Sequence, residues 1–213
     1  AATISEQATQ SAIGILAQGG NAVDAAVAAA ATLGVTDPFS CGIGGGGFMV
    51  VYLAKEQRVI TIDHRETAPA ATTPTRFIED GKEMDFDTAV ASGLSVGVPG
   101  TVRGWHEALQ RYGSMSLAQV LAPAITVAEE GFTVDANFSQ LVQQNERKFN
   151  RFPAAAALYL RDGKAIPPGM RLRNPDLART YRLLATGGVD AFYGGPLARA
   201  IVDTVNRPPT AAG

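Results

Sequence analysis

The chain has 213 residues, with 18 Lys and Arg against 20 Asp and Glu for a formal charge of −2, and 46% of its residues are hydrophobic. This is too apolar for a disordered tail and too nearly neutral for an electrostatic grip on nucleic acid, which needs a dense basic face. With 1 Cys there can be no intrachain disulfide, and with 2 His no zinc site of His and Cys ligands is expected; no other metal and no cofactor is expected either.

The first residues carry no basic or strongly apolar leader. Thr3-Ile4-Ser5-Glu6 predicts a capping box, after which Ile4, Ala8, Ala12, Ile15 and Leu16 share one helical face up to a stop at Gly19. Asn21 is placed to cap a second helix. Almost every position from Ala22 to Val35 is small or apolar, which predicts a helix enclosed on all sides and ended by Pro38. The segment is shorter than the roughly 20 residues a bilayer requires, and it contains Asp24.

Gly42-Ile43-Gly44-Gly45-Gly46-Gly47 leads directly into Phe48-Met49-Val50-Val51-Tyr52-Leu53, an apolar run that suits a central strand. After a polar turn, Arg58 to Asp63 alternates like an antiparallel partner. Thr67 to Pro74 reads as loop, and Val96 and Val98 suggest a short strand before Pro99-Gly100.

The remainder reads as helical. Helices are expected over Thr101–Tyr112, closed by Gly113, and from a second capping box at Ser116-Leu117-Ala118-Gln119 to Gly131, with a kink at Pro123. A solvated amphipathic helix is expected over Asp135–Asn150, another from Asn174-Pro175-Asp176, and a last one over Pro196–Asn206. Charge concentrates between Glu146 and Arg182, so the N-terminal part is expected to be the core and the later helices its outer layer.

Gly42, Gly44 and Gly47 literally fit G-x-G-x-x-G, and Asp63 stands near the place of a ribose-binding acid. That fingerprint works through a helix N-terminus pointing at the pyrophosphate. Here a strand follows the glycines instead, so they are read as a place of close backbone approach. Arg65 leaves a strand end at the start of a loop, where its fork could hold a carboxylate, pair with Glu66 or simply be solvated. His64 is a lone histidine, and Cys41 reads as a small buried hydrophobe. No G-x-S-x-G elbow occurs, Ala1 cannot be an N-terminal nucleophile, and Ser92, Ser95 and Thr101 only flank glycines. No catalytic residue is expected in this chain.

The segments Gly19-Gly20-Asn21-Ala22-Val23-Asp24-Ala25-Ala26, Gly42 to Met49, Asp63-His64-Arg65-Glu66-Thr67-Ala68-Pro69 and Val98-Pro99-Gly100-Thr101-Val102 carry a strong resemblance. With Pro123-Ala124-Ile125, Ala128, Gly131-Phe132 and Phe192-Tyr193-Gly194-Gly195, the chain resembles the γ-glutamyltransferase (γ-glutamyltranspeptidase) family of N-terminal-nucleophile hydrolases up to Asn206, in family order. The resemblance implies an α/β (α+β) fold, the αββα sandwich. This chain would supply the N-terminal portion of the large subunit, as a single partial domain over residues 1–213.

The resemblance further implies a self-cleaving precursor whose small subunit begins with a nucleophilic Thr. That Thr takes a γ-glutamyl group from a donor such as glutathione and passes it to water, an amino acid or a peptide. Arg65 matches the arginine that holds the donor's α-carboxylate, and Glu66 is expected to orient it. His64 stands where an aromatic residue is more usual, and Arg207 to Gly213 only weakly resembles a later Pro-rich motif of the family. No Thr-Thr-His junction occurs, so the chain is expected to be a truncated large subunit that is inactive alone and depends on the small subunit of the same precursor. A related acylase acting on poly-γ-glutamate or a cephalosporin side chain, and a non-catalytic module, are the alternatives. A periplasmic or extracellular location is expected if a signal peptide has been removed, with the cytoplasm left open.

Overall fold

The computed structural model describes residues 1–210; the end of the Pro-rich stretch, Ala211-Ala212-Gly213, lies outside the described residues. Helix α1 spans Glu6–Ala17 and α2 spans Ala22–Thr36. The cap of α1 is Ser5 rather than Thr3. Ser5 is extended, and its Oγ accepts from the Ala8 N–H (3.4 Å), while the Thr3 hydroxyl turns back to donate to the Ser5 carbonyl (2.7 Å). Ile4 therefore precedes the helix and is 78% exposed instead of joining the face of Ala8, Ala12 and Ile15.

Asn21 caps α2 through a reciprocal box. Its Oδ1 accepts from the Val23 and Asp24 N–H groups, and Asp24 Oδ2 accepts from the Asn21 N–H (2.8 Å). Small side chains let α1 and α5 pack closely on α2, but Ala22 and Ala26 stay exposed, so one face is open where full enclosure was expected.

Strands β1 (Phe48–Leu53) and β2 (Arg58–Asp63) form an antiparallel hairpin in register from Phe48↔Asp63 to Leu53↔Arg58. β1 covers the apolar run and β2 the alternating segment read from the sequence. Yet β1 is not a central strand among the described residues: β2 is its only ladder partner, and Phe48, Val50 and Tyr52 are exposed along one face. Residues 96–98 contribute a single bridge, Thr67↔Val98, and no strand. Between these segments lie the two-residue strands β3 (Ile78–Glu79) and β4 (Lys82–Glu83), then α3 (Phe86–Val90) and a 3-10 turn at Gly93–Ser95.

Helices α4 (Thr101–Tyr112) and α5 (Leu117–Glu130) follow, the latter begun by the Ser116/Gln119 box and stopped by Gly131 at φ +84. After β5 (Phe132–Thr133), the helix expected over 135–150 is two helices, α6 (Ala136–Gln144) and α7 (Glu146–Asn150). They break at Asn145, whose Nδ2 donates to the Leu141 carbonyl (2.9 Å) and competes with continuation of the helix. The chain ends with α8 (Pro153–Tyr159), β6 (Leu160–Arg161), β7 (Lys164–Ala165), β8 (Arg171–Leu172), α9 (Pro175–Tyr193, interrupted at Gly188) and α10 (Pro196–Asn206).

The core lies where α2 and α5 meet α1 and α9. Val27, Ala28, Ala31, Leu121, Ala124, Tyr181 and Leu184 are fully enclosed there. Helix α9 is thus part of the core, not the outer layer its charges suggested. The Tyr181 hydroxyl donates to the Ala31 carbonyl (2.9 Å), and a Cβ at Gly34 would press on that hydroxyl. The phenol's pKa is pushed up by burial, with a further contribution from Cys41, so it stays a donor. No described helix is long and apolar enough to cross a membrane.

Candidate substrate-binding site

The exit of β2 is clasped by the glycine loop on one side and the start of α4 on the other. His64 N–H donates to the Gly47 carbonyl (3.0 Å), and Gly47 N–H donates back to the His64 carbonyl (3.3 Å). The Gly45 carbonyl accepts from both Gly100 N–H (2.8 Å) and Thr101 N–H (3.0 Å), and Val98 N–H donates to the Thr67 carbonyl (2.8 Å). These contacts leave no room for side chains. A Cβ on Gly46 or Gly100 would collide with the His64 carbonyl, and one on Gly104 with the His64 ring. The glycine run therefore serves close approach, as read from the sequence, and β1 rather than a helix follows it.

This clasp fixes Arg65. Its backbone N–H donates to Asp63 Oδ1 (3.0 Å), and its Nε lies 3.3 Å from Glu66 Oε2. Glu66 is mostly covered; Oε2 is enclosed and forms no hydrogen bond, while Gly45 and Gly97 crowd the rest of the side chain. The guanidinium is 59% exposed and makes no hydrogen bond among the described residues. A carboxylate held at its back and free N–H groups at its front make Arg65 a ready partner for an anion.

Arg65 lines an open cleft of about 270 Å³ with Asp63, His64, Pro99, Arg103, Glu107 and Tyr193. The Tyr193 hydroxyl closes one wall, donating to the Pro99 carbonyl (2.8 Å) and accepting from the Arg103 N–H (3.2 Å). Burial lowers the pKa of His64, only partly opposed by its backbone hydrogen bond and by Asp63 and Glu66, and its Nδ1 is enclosed without a partner. His64 is thus a neutral wedge between the glycine loop and α4.

Cys41 is half-buried, and burial together with the Asp37 carboxylate pushes its thiol pKa up, away from a nucleophilic thiolate. No group of metal-binding side chains occurs among the described residues. A roomier cavity of about 480 Å³ between the starts of α1 and α6, lined in part by Glu6, Asp37, Phe39 and Phe138, shares no residue with the cleft.

Three segments of the resemblance meet here: the glycine run, residues 63–69 and Val98 to Val102, with Tyr193 added from the Phe192 to Gly195 segment. The Gly19 to Ala26 segment lies elsewhere and builds the cap of α2. Arg103, Glu107 and Tyr193 were not anticipated as cleft residues. Only the presence of Pro99 and Tyr193 in matching segments could have pointed to them.

A family model described as "Gamma-glutamyltranspeptidase" matches residues 8–210. The chain is 44% identical over 192 residues to the glutathione hydrolase proenzyme of Bacillus subtilis (strain 168), covering 90% of this chain and 32% of that protein. It is 43% identical over 195 residues to the acylase ACY 1 proenzyme of Pseudomonas sp. (strain SE83), covering 89% of this chain and 35% of that protein. The crystal structure of Helicobacter pylori gamma-glutamyltranspeptidase superposes with a TM-score of 0.90 at 31% identity, over 94% of this chain and 58% of that one. The chain spans about a third of the length of these curated relatives.

Proposed function

The chain belongs to the gamma-glutamyltranspeptidase family, and from that premise we propose that it is the donor-binding part of a larger enzyme that transfers or hydrolyses γ-glutamyl groups. In this reading residues 1–213 form one part of a single αββα domain completed by the small subunit of the same precursor, and the nucleophile is that subunit's N-terminal Thr. The Thr hydroxyl oxygen attacks the γ-carbonyl carbon while its α-amine takes the proton. The C–N bond then breaks, and the amine leaves with that proton. Water or the amine of an amino acid or peptide next attacks the γ-glutamyl ester and regenerates the Thr. Glutathione is the expected donor, no nucleic-acid partner is expected, and the expected compartment is periplasmic or extracellular if a signal peptide has been removed, with the cytoplasm left open.

The observation that carries the reading is Arg65. Its guanidinium is backed by an enclosed Glu66 oxygen, free of hydrogen bonds among the described residues, and on the wall of a cleft. A guanidinium so placed suits the donor's α-carboxylate and marks out γ-glutamyl from simple acyl amides. The test is turnover of a γ-glutamyl anilide by the intact, processed protein. Turnover that depends on the α-carboxylate of the donor supports the reading; its absence removes it.

A second reading is favoured by the 43% identity to an acylase: the same fold and nucleophile acting on a different acyl amide. A donor panel that includes cephalosporin side-chain amides and poly-γ-glutamate separates the two.

A further inference from the structure

Arg103 stands in the first turn of α4, with its guanidinium carbon 5.6 Å from the centroid of the Tyr193 ring. Tyr193 is itself anchored, its hydroxyl bonded to the Pro99 carbonyl and to the Arg103 N–H. Stacking on a fixed ring orients a guanidinium while leaving its in-plane N–H groups free, so little side-chain entropy remains to be lost on binding.

Arg103 forms no ion pair among the described residues, in contrast to Arg65 with Glu66 at its back. The same cleft also holds Asp63 and Glu107. Two guanidinium groups beside two carboxylates suit a ligand with separate anionic ends joined by N–H-bearing linkages better than one dense anion.

We propose that Arg103 binds the free carboxylate of the amino acid or peptide on the amine side of the scissile γ-amide. This rests on the γ-glutamyl reading above and extends it. A γ-glutamyl amino acid carries one carboxylate on each side of the amide: Arg65 takes the α-carboxylate of the glutamyl part, and Arg103 takes that of the departing amine. The acceptor amine enters where the donor amine left, so the same arginine selects acceptors that end in a free carboxylate. The preferred substrates are thereby γ-glutamyl amino acids and peptides with an uncapped C-terminus, with donors that lack the amine-side carboxylate used less well.

The test uses the intact, processed protein and two donors, γ-glutamyl-alanine and γ-glutamyl-alaninamide, which differ only in the carboxylate at issue. The wild-type protein is expected to favour the free acid by about tenfold in kcat/KM, the scale of one charge-assisted contact. Arg103→Ala is expected to bring the ratio near one, and Arg103→Lys to recover part of it. A wild-type ratio near one, or a ratio left at about ten in Arg103→Ala, would overturn the assignment. Failure of the wild-type protein to turn over either donor overturns the γ-glutamyl reading itself, and the role of Arg103 with it.

Discussion

The Ser114 hydroxyl donates to Asp24 Oδ2 at 2.6 Å, tying the first turn of α2 to the loop between α4 and α5. The same carboxylate accepts from the backbone N–H groups of Asn21, Ser114 and Met115, and it is fully buried. Burial alone would raise its pKa, but these donors outweigh that and lower it below the ordinary 3.8. Gly113 has no room for a Cβ beside Asp24 Oδ1.

Replacing this carboxylate strands several enclosed donors. Asp24→Ala is expected to cost roughly 3 kcal/mol of folding stability, the scale of unsatisfied buried groups around a lost charge. The check is the midpoint of denaturant unfolding against wild type. Because the folded pKa is depressed, the stability due to Asp24 is fully present above about pH 4 and drains as pH falls through the lowered native value. Asp24→Ala should therefore show a flatter loss of stability in acid; an unchanged acid slope would contradict the role.

His64 gives a second pH signature. Burial holds its folded pKa below the ordinary 6.5, so the unfolded chain binds its proton first as pH falls. The sign is that stability is greatest above pH 6.5 and declines below it, toward the depressed native value. His64→Phe keeps a ring against Gly104 and removes the titration. Thermal unfolding from pH 7.5 to 5 should be less pH-dependent in this variant, and an identical slope would mean that another group is responsible.

Gly100 is the tightest point of the clasp around Arg65, since any Cβ there meets the backbone carbonyl of His64. Backbone cannot rotate aside as a side-chain tip can. Gly100→Ala is expected to cost about 1–3 kcal/mol of stability, in the range of overpacked sites. The intact protein should also lose donor affinity, because the loop that carries Arg65 must move. A variant with wild-type stability and wild-type donor KM would show that the clasp is looser than drawn.

Local chemistry made much of the fold legible. Asn21 with Asp24, Ser116 with Gln119, and Asn174-Pro175 set helix starts, and the alternation of residues 58–63 set β2. What escaped depends on contacts remote in sequence or on single side chains. The break at Asn145 comes from one amide bonding its own helix, which periodicity does not register. The burial of α9 was masked by Arg179 and Arg182 on its exposed side, while Ala178, Tyr181 and Leu184 face the core. Two-residue strands such as β3 and β4 are too short to show a period.

In the site, Arg65 and Glu66 were legible because they adjoin in sequence and lie within a matching motif. The Arg103–Tyr193 wall was not, since Tyr193 and Pro99 are 94 positions apart and only the folded chain joins them. The exposed face of β1 was missed for a related reason: an apolar run indicates surface that seeks cover, not which residues provide it.

The most direct test of the central claim is the donor kinetics of Arg65→Ala in the intact, processed protein. Loss of a charge-assisted, bidentate contact is expected to lower kcat/KM for a γ-glutamyl donor by roughly 2–4 kcal/mol, read mainly as a raised donor KM. A donor KM and kcat/KM equal to those of wild type would contradict the assignment of Arg65 to the donor carboxylate.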